Sequence, residues 1–400
     1  MTLSSSAGLS TTSSTAAIDA PSPRLAGKIL CVANTAWYLY NFRRGLLEGL
    51  LKEGWDVVAV CPRDSYVAQL EELGVRWVGW KLDRAGMSPL RDASSIAELA
   101  RVYRNEQPDV VHHFTIKSVL YGTKAAERAG ISRVVNSVTG LGHVFISPRL
   151  AARCVRPWIR RWYLRALTKA GSRPIFQNAD DLAVLARHST RLTERSIMAN
   201  GSGVNLERFA PVPKRELDQQ TRILFVGRLI AEKGIFEFLE AARILHGRGV
   251  ATTFHVCGAP DPGNPSSIDN ETLAQWESEG IAEFAGHVDD VAPLMSEADV
   301  VALPSYREGT PRVLLEAGAM ALPVVATDVP GCRDVVKDGV NGLLVPTKSP
   351  ESLAAAIETL ACSTELRHRL GQAGHKLVED QYDEKKVVQQ TLNVYHSICA

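Results

Sequence analysis

Two carboxylates separated by seven residues, Glu308 and Glu316, stand at a predicted junction between a loop and a helix. The flanking segments "ADVVALP" and "LPVVATD" are apolar and rich in β-branched residues, so the order strand, loop, helix, strand predicts a βαβ unit. At the carboxyl edge of such a unit, the free N–H groups of helix N-termini attract anions. A carboxylate there repels a bound anion unless it accepts hydrogen bonds from hydroxyl groups. The pair therefore predicts a ligand that carries both phosphate and hydroxyl groups.

Local residue types predict where the helix between these strands begins. Gly309 and Thr310 suit a turn and an N-cap, and Pro311 suits the first helical position, where its missing N–H costs nothing. We therefore expect a helix from about Pro311 to Met320.

Two cations are predicted at the same edge of the sheet. The segment "FVGRLIAEKGIFEFLEAA" begins as a strand, turns at Gly227 and resumes as a helix near Gly234, which places Arg228 and Lys233 in a loop between strand and helix. Two cations there can neutralise a diphosphate, although a single pair of this kind is usually a solvated loop charge. The convergence of cations and carboxylates on one edge favours the ligand interpretation.

Strand-like and helical segments alternate along the whole chain after Lys28, which predicts an α/β fold with two parallel sheets, each covered on both faces. Two such doubly wound domains would face each other across a cleft, where ligands bind. The predicted organisation is a disordered tail (1–26), a first domain (27–207), a polar, proline-containing hinge (208–220), a second domain (221–382) and a C-terminal helix (383–400) able to pack back on the first domain.

Composition restricts the classes of function. The chain has 400 residues, 45% of them hydrophobic and 22% charged, and its net charge of +1 gives no indication of nucleic acid as a partner. Its seven cysteines lack the spacing of a disulfide framework or a zinc site, which indicates a reducing, cytoplasmic compartment. The first 26 residues resemble neither a signal peptide nor a membrane anchor, and no run of 18 apolar residues predicts a membrane span.

The sequence resembles the retaining glycosyltransferases of family four, which have the GT-B fold of two Rossmann-like domains. The resemblance covers almost the whole chain after residue 27 and is carried by "GRLIAEKG" and by "REGTPRVLLEAGAMALPVVATDVPGCRDVV". It implies that Arg228 and Lys233 hold the diphosphate of a nucleotide sugar, that Glu308 contacts the transferred sugar and that Glu316 contacts the ribose. In the same nucleotide-binding set we place Gly227 and the backbone N–H groups of Gly309, Thr310 and Arg312.

The segment "DVVHHFTIKSVLYG" ends a predicted strand at His112 or His113. A histidine at the end of a strand is more often structural than catalytic, but the resemblance implies a sugar-contacting histidine here. Both residues are therefore candidate catalytic residues. Arg43 and Arg44, in "NTAWYLYNFRRG", could equally bind phosphate or solvate the start of a helix.

The first half of the chain also resembles a bacterial subgroup that assembles capsule, O-antigen or glycoprotein glycans on polyprenyl-diphosphate carriers. The segment "SPRLAARCVRPWIRRWYLRALTKA" mixes six arginines and a lysine (Arg149, Arg153, Arg156, Arg160, Arg161, Arg165 and Lys169) with aromatic residues and contains no acidic residue. Such a segment suits the anionic inner face of the plasma membrane, although an ordinary packed helix with solvated cations is an equal alternative. Pro157 is expected to weaken or kink this helix.

The expected reaction is sugar transfer from a nucleotide sugar of the UDP type, bound by the second domain, to a polyprenyl-diphosphate-linked acceptor, bound by the first. The cations at the sheet edge can stabilise the departing diphosphate, so no metal and no cofactor are predicted, and Asp289 and Asp290 fit a helix N-cap better. The resemblance implies front-face substitution, whereas the residues alone leave double displacement through a carboxylate open. A nucleotide-sugar epimerase or hydrolase of the same fold and a non-catalytic nucleotide-sugar-binding protein are the alternative functions.

Overall fold

The computed structural model describes residues 26–83, 88–141, 145, 150–187, 189–212 and 220–400. The predicted tail lies outside this part except for Ala26, and the predicted hinge is described only at residues 208–212 and 220.

The first domain is built on a parallel sheet. In the described part of the chain this sheet has seven strands in the order β3-β2-β1-β4-β5-β6-β7. The strands are β1 (Gly27–Val32), β2 (Trp55–Cys61), β3 (Arg76–Gly79), β4 (Val110–Phe114), β5 (Val134–Val138), β6 (Ser172–Phe176) and β7 (Ile197–Met198). The helices are α1 (Ala36–Lys52), α2 (Val67–Glu72), α3 (Pro89–Glu106), α4 (Ile116–Ala129), α5 (Leu150–Leu167), α6 (Ala179–Ala186) and α7 (Thr190–Arg195).

The second domain repeats this architecture with a parallel sheet whose order, among the described residues, is β10-β9-β8-β11-β12-β13. The strands are β8 (Thr221–Val226), β9 (Thr252–Cys257), β10 (Glu283–Gly286), β11 (Val300–Leu303), β12 (Val324–Thr327) and β13 (Gly342–Val345). A 3₁₀ turn (Ala231–Lys233) precedes α8 (Ile235–Gly247), and the other helices are α9 (Asn270–Glu279), α10 (Ala292–Glu297), α11 (Arg312–Ala319), α12 (Cys332–Val335), α13 (Pro350–Ala361), α14 (Thr364–Gln381) and α15 (Glu384–Cys399).

The central strands are apolar on both faces because helices cover both sides of each sheet. Every residue of β4, β11 and β12 is buried. In both domains the order of the strands reverses beside the first strand, between β1 and β4 and between β8 and β11. Ligands bind at such switch points, outside the carboxyl ends of the strands. The fold therefore directs attention to the loops that follow β8 and β11.

The chain crosses between the domains twice at one place. Val204 N–H donates to the Tyr382 carbonyl at 2.9 Å, and Glu384 N–H donates to the Val204 carbonyl at 3.0 Å. Helix α15 then packs on α1 of the first domain, where Gly49 leaves room for Val388; a Cβ atom on Gly49 would lie 2.8 Å from the Val388 side chain. The last helix of the described chain is thus part of the first domain's core.

One local prediction about a helix is wrong. Helix α11 begins at Arg312, and its N-cap is Pro311 in an extended conformation (ψ 108°) that makes no side-chain capping bond. Thr310, the predicted N-cap, instead directs its hydroxyl at the Gln177 carbonyl of the first domain, 3.4 Å away. Helix α5 includes Pro157, which is exposed, and the weakening or kink expected from this proline stays a prediction.

Within the described ranges, the helices are too short or too polar to traverse a lipid bilayer.

Candidate active site

The loops after β8 and β11 lie against each other at the carboxyl edge of the second sheet. Gly234 has a φ of +75°, and a side chain there would collide with the Pro304 carbonyl. Glycine is therefore required at this position for two reasons: it adopts the left-handed backbone conformation, and it lets the two loops approach closely. This approach brings Lys233, in the first loop, to Glu308, in the second.

Lys233 and Glu308 form an ion pair, with 2.5 Å between Lys233 Nζ and Glu308 Oε1. Both side chains are largely buried, so the pair is less screened by water than an exposed one. A residue predicted to hold phosphate and a residue predicted to contact the sugar are therefore direct partners. The sequence placed both at one edge but did not predict this pairing.

Arg228 pairs with a carboxylate that sequence reasoning missed. Its guanidinium lies 2.5 Å from Asp261 Oδ2, and the Arg228 side chain is 59% exposed. Asp261 belongs to the loop after β9, and its N–H donates to Ser267 Oγ at 2.9 Å. Gly227 fixes the start of the neighbouring loop by donating its N–H to the Cys257 carbonyl at 3.0 Å. The signal that could have revealed Asp261 is its position just after a strand, at the edge that carries Arg228.

Backbone N–H groups complete this edge. Those of Gly309, Thr310 and Arg312 donate to no group in the described part of the chain, as expected at the start of a helix. They are therefore available to an anion, together with the two cations.

Glu316 lies on α11, almost entirely buried. Its Oε1 is 2.9 Å from Arg312 Nε, and burial raises the pKa of the Glu316 carboxyl above its usual value, against the opposing effect of Arg312. Arg312 also donates to the Asn41 carbonyl of the first domain. A buried carboxylate of this kind can accept two hydrogen bonds from a diol such as a ribose, while its partner Arg312 remains in place.

We expect Glu316→Ala to weaken UDP binding by roughly 10-fold or more, because hydrogen bonds to a charged group contribute about 1.5–3 kcal/mol. Calorimetric titration with UDP measures this directly. Glu297→Ala, which removes a more exposed carboxylate on α10, is the control and should bind UDP as wild type does. Equal UDP affinity in Glu316→Ala and wild type would contradict a ribose contact.

The two candidate histidines are buried in β4, and both ring nitrogens of each are bonded to protein groups. His112 contacts Tyr395 Oη at 2.5 Å and Ser137 Oγ at 2.7 Å. His113 contacts Tyr103 Oη and Asn136 Oδ1, both at 2.8 Å. A sugar contact by either ring would require it to give up one of these partners. The structure thus places the histidines inside the first domain, and the bonds described here join neither ring to Arg228, Lys233, Glu308 or Glu316.

Burial lowers the pKa of His113 from its usual value of 6.5 to about 4. The neutral ring is favoured in the folded state, so its stabilising contribution is present above pH 6.5 and is lost as the pH falls towards 4. The difference in unfolding free energy between wild type and His113→Gln should therefore shrink by about 3 kcal/mol between pH 7 and pH 4. Denaturant titrations of both proteins at several pH values measure this difference in unfolding free energy. A difference that does not change with pH would contradict the lowered pKa of His113.

The adjacent pair Asp289 and Asp290 is engaged by protein groups. Asp290 Oδ1 accepts from the Ala292 N–H at 3.1 Å and from Arg208 at 2.8 Å, just before α10. The N-cap of α10 is Val291, however, so the prediction that Asp289 or Asp290 caps this helix is wrong. Asp289 accepts from the Tyr66 hydroxyl of the first domain at 2.6 Å, and this bond lowers the pKa of the Asp289 carboxyl. Within the described residues, no three His, Cys, Asp or Glu side chains cluster in a way that could hold a metal ion.

Arg43 and Arg44 have different environments. Arg43 is buried, its guanidinium lies 4.9 Å from the Phe114 ring centroid, and it donates to the Tyr38 hydroxyl at 3.0 Å. Arg44 is half-exposed and pairs with Glu48 at 2.7 Å on the same helix. Arg44 therefore stabilises the helix surface, whereas Arg43 packs within the first domain.

Two family models match the chain. Residues 28–172 match the "Glycosyl transferase 4-like" model and residues 220–363 match "Glycosyl transferases group 1". The chain is 28% identical over 373 residues to the N,N'-diacetylbacillosaminyl-diphospho-undecaprenol alpha-1,3-N-acetylgalactosaminyltransferase of Campylobacter jejuni, covering 90% of this chain and 96% of the relative. It is 24% identical over 321 residues to the UDP-Gal:alpha-D-GlcNAc-diphosphoundecaprenol alpha-1,3-galactosyltransferase of Escherichia coli, covering 78% and 81%.

The fold is that of solved glycosyltransferases. Anabaena Alr3699/HepE in complex with UDP-glucose superposes with a TM-score of 0.76 at 18% identity, covering 93% of this chain and 100% of that one. WaaG, described as a glycosyltransferase involved in lipopolysaccharide biosynthesis, gives a TM-score of 0.69 at 18% identity, covering 90% and 99%. Because the family models match both halves and the relatives align along most of the chain, the protein belongs to glycosyltransferase family four, has the predicted GT-B fold and is a glycosyltransferase.

Proposed function

We propose that this glycosyltransferase transfers a hexose or N-acetylhexosamine from a UDP-sugar to a polyprenyl-diphosphate-linked acceptor during the assembly of a cell-surface glycan. The observation that carries the proposal is the Lys233–Glu308 ion pair, which joins the loops after β8 and β11. Arg228 lies in the first of these loops and Glu316 on the helix after the second, so cations for phosphate and carboxylates for hydroxyl groups follow neighbouring strands. The names of the Campylobacter and Escherichia relatives support the class of acceptor, since both specify a diphospho-undecaprenol-linked sugar.

In the proposed reaction the bond between the anomeric carbon and the β-phosphate oxygen breaks, and a bond from the acceptor hydroxyl oxygen to that carbon forms. Negative charge develops on the departing UDP, where Arg228, Lys233 and the N–H groups of Gly309 and Thr310 stabilise it. The acceptor proton passes to the departing phosphate oxygen in a front-face, retaining reaction. Glu308 orients the sugar by accepting a hydrogen bond from one of its hydroxyl groups.

For this reaction the enzyme has to reach a lipid carrier, and we propose that α5 rests on the anionic inner face of the plasma membrane. Arg153, Trp158, Arg161 and Arg165 are exposed and lie on one side of this helix by its 3.6-residue period, with Trp158 75% exposed. The opposite side is anchored in the core, for example by Tyr163. An exposed tryptophan among arginines, on a helix without an acidic residue, suits an anionic interface.

We expect sugar transfer to survive chelation of divalent metals. The charge that a metal would neutralise on the departing diphosphate is met by the cations Arg228 and Lys233 and by backbone N–H groups. Addition of EDTA should leave most of the rate of sugar transfer, measured with and without EDTA on one UDP-sugar and one lipid acceptor. Loss of activity with EDTA and its return with Mg²⁺ or Mn²⁺ would contradict this, and Asp289 and Asp290 would be the first ligands to test.

Incubation with radiolabelled UDP-glucose, UDP-galactose and their N-acetylhexosamine counterparts, with and without membrane lipid extract, tests the proposed function. Label transferred to the lipid fraction, only when extract is present, is the expected result, and Lys233→Ala should abolish it. Release or alteration of the sugar without extract would indicate a hydrolase or epimerase. Binding without turnover of any of these donors would indicate a non-catalytic protein.

A further inference from the structure

The loop that carries Glu308 is held at both sides of that residue by the first domain. On one side, the Arg307 guanidinium pairs with Asp181 Oδ1, on α6. The Asp181 side chain is only 1% exposed and that of Arg307 is 18% exposed, so this ion pair is buried between the domains. Breaking a buried ion pair of this kind costs free energy, because each charge would be left without its ionic partner.

Asn178 secures Asp181 in this position. As the N-cap of α6, Asn178 accepts the Asp181 N–H at 2.7 Å through Oδ1. Its Nδ2 is 3.2 Å from the other carboxylate oxygen of Asp181 and 3.3 Å from the Gly309 carbonyl. Both oxygens of Asp181 are thus engaged, one within the first domain and one across the cleft.

On the other side of Glu308, the loop backbone itself touches the first domain. A Cβ atom on Gly309 would lie 2.7 Å from the Thr139 carbonyl oxygen and 3.2 Å from Gln177 Oε1. Only a glycine allows this approach. Glu308 therefore lies between two residues that the first domain holds, while its own carboxylate contacts Lys233 of the second domain.

We infer that Asp181 is a positioning residue for sugar transfer, which acts by fixing Arg307 and hence the orientation of Glu308. The inference rests on the proposed sugar contact of Glu308. The nucleotide-binding groups Arg228, Lys233 and Glu316 all belong to the second domain, so UDP can bind without Asp181. The transferred sugar, in contrast, meets a correctly oriented Glu308 only when the first domain, which is expected to bind the acceptor, contacts the second domain. Sugar transfer is thereby coupled to the presence of the domain that supplies the acceptor.

The test compares Asp181→Asn and Arg307→Gln with wild type. In both variants we expect kcat of transfer from the active UDP-sugar to fall at least ~10-fold, with UDP affinity by calorimetry and KM for the donor within about twofold of wild type. The double variant should be no slower than the slower single variant, because either change removes the same contact. Tyr66→Phe removes another hydrogen bond between the domains, to Asp289, and is the matched control that should keep wild-type kcat.

Arg307 lies on a loop and is the more accessible partner, so Arg307→Gln tests the inference even if Asp181→Asn fails to fold. Wild-type kcat in Arg307→Gln, or effects that simply add in the double variant, would overturn it. Glu308→Gln separates this inference from the proposed function. Loss of transfer in Glu308→Gln with full transfer in Asp181→Asn and Arg307→Gln would overturn only the positioning role. Full transfer in Glu308→Gln would overturn the sugar contact of Glu308 and the positioning role with it, whereas absence of transfer in wild type would overturn the proposed function.

Discussion

Replacement of Arg228 or Lys233 by alanine is expected to lower the turnover of sugar transfer by at least ~10²-fold, and in Arg228→Ala the melting temperature should stay close to that of wild type. Both cations are proposed to stabilise charge that appears on the diphosphate as the bond breaks, so their loss acts on the transition state. The structural contribution of Arg228 is small, because exposed ion pairs contribute about 0–1 kcal/mol to stability and Arg228 is more than half exposed. Lys233→Ala, in contrast, leaves the largely buried Glu308 carboxylate without its partner and should also lower the melting temperature.

Steady-state transfer assays and thermal melts of the same preparations measure the two effects. Arg243→Ala and Arg248→Ala are matched controls. Each removes a partly exposed arginine from a surface ion pair of the second domain that includes none of the proposed site residues. Both controls should keep wild-type turnover. Unchanged turnover in Arg228→Ala or Lys233→Ala would remove that residue from the proposed site.

Binding to anionic vesicles should fall by about 10²-fold when Arg153, Arg161 and Arg165 are changed together to glutamine. Each cation near an anionic surface contributes on the order of 1 kcal/mol, and these three share the exposed side of α5. Sedimentation with vesicles of anionic lipid, at low and at high salt, measures the loss. Wild type should pellet at low salt and less at high salt, because salt screens the attraction.

The control for charge is a variant with Arg101 and Arg104, exposed on α3, and Arg248, exposed just after α8, changed to glutamine. It carries the same net charge as the α5 variant but should pellet like wild type. Trp158→Ala should weaken the part of binding that persists at high salt. Equal pelleting of both triple variants, or no pelleting of wild type, would make α5 an ordinary packed helix with solvated cations.

The sequence predicted which residues lie together at the carboxyl edge of the second sheet, because that information is local. Parallel strands end at the same edge, so apolar runs such as those of β8 and β11 are enough to bring Lys233 and Glu308 to one place. The same reasoning placed Arg312 and Glu316 on one helix. Strand periodicity and turn chemistry carried these predictions.

Partners that meet between domains were not predictable in this way. Asp181 reaches Arg307 from a position 126 residues away in the other domain. The hydroxyl of Thr310, expected to cap a helix, is likewise directed at a partner in the first domain, the Gln177 carbonyl. Local propensity is overridden where a tertiary contact offers a competing partner.

The packing of α15 on the first domain determines the order in which the protein can fold during synthesis. Leu392, Val394 and Tyr395 belong to the same apolar cluster as Leu39 and Leu47 of α1, yet the ribosome makes them only after the whole second domain. The first domain is therefore translated early but leaves one apolar face uncovered, and His112 lacks its Tyr395 partner, until α15 emerges. A nascent chain in this state is prone to aggregate and depends on the completion of its neighbour.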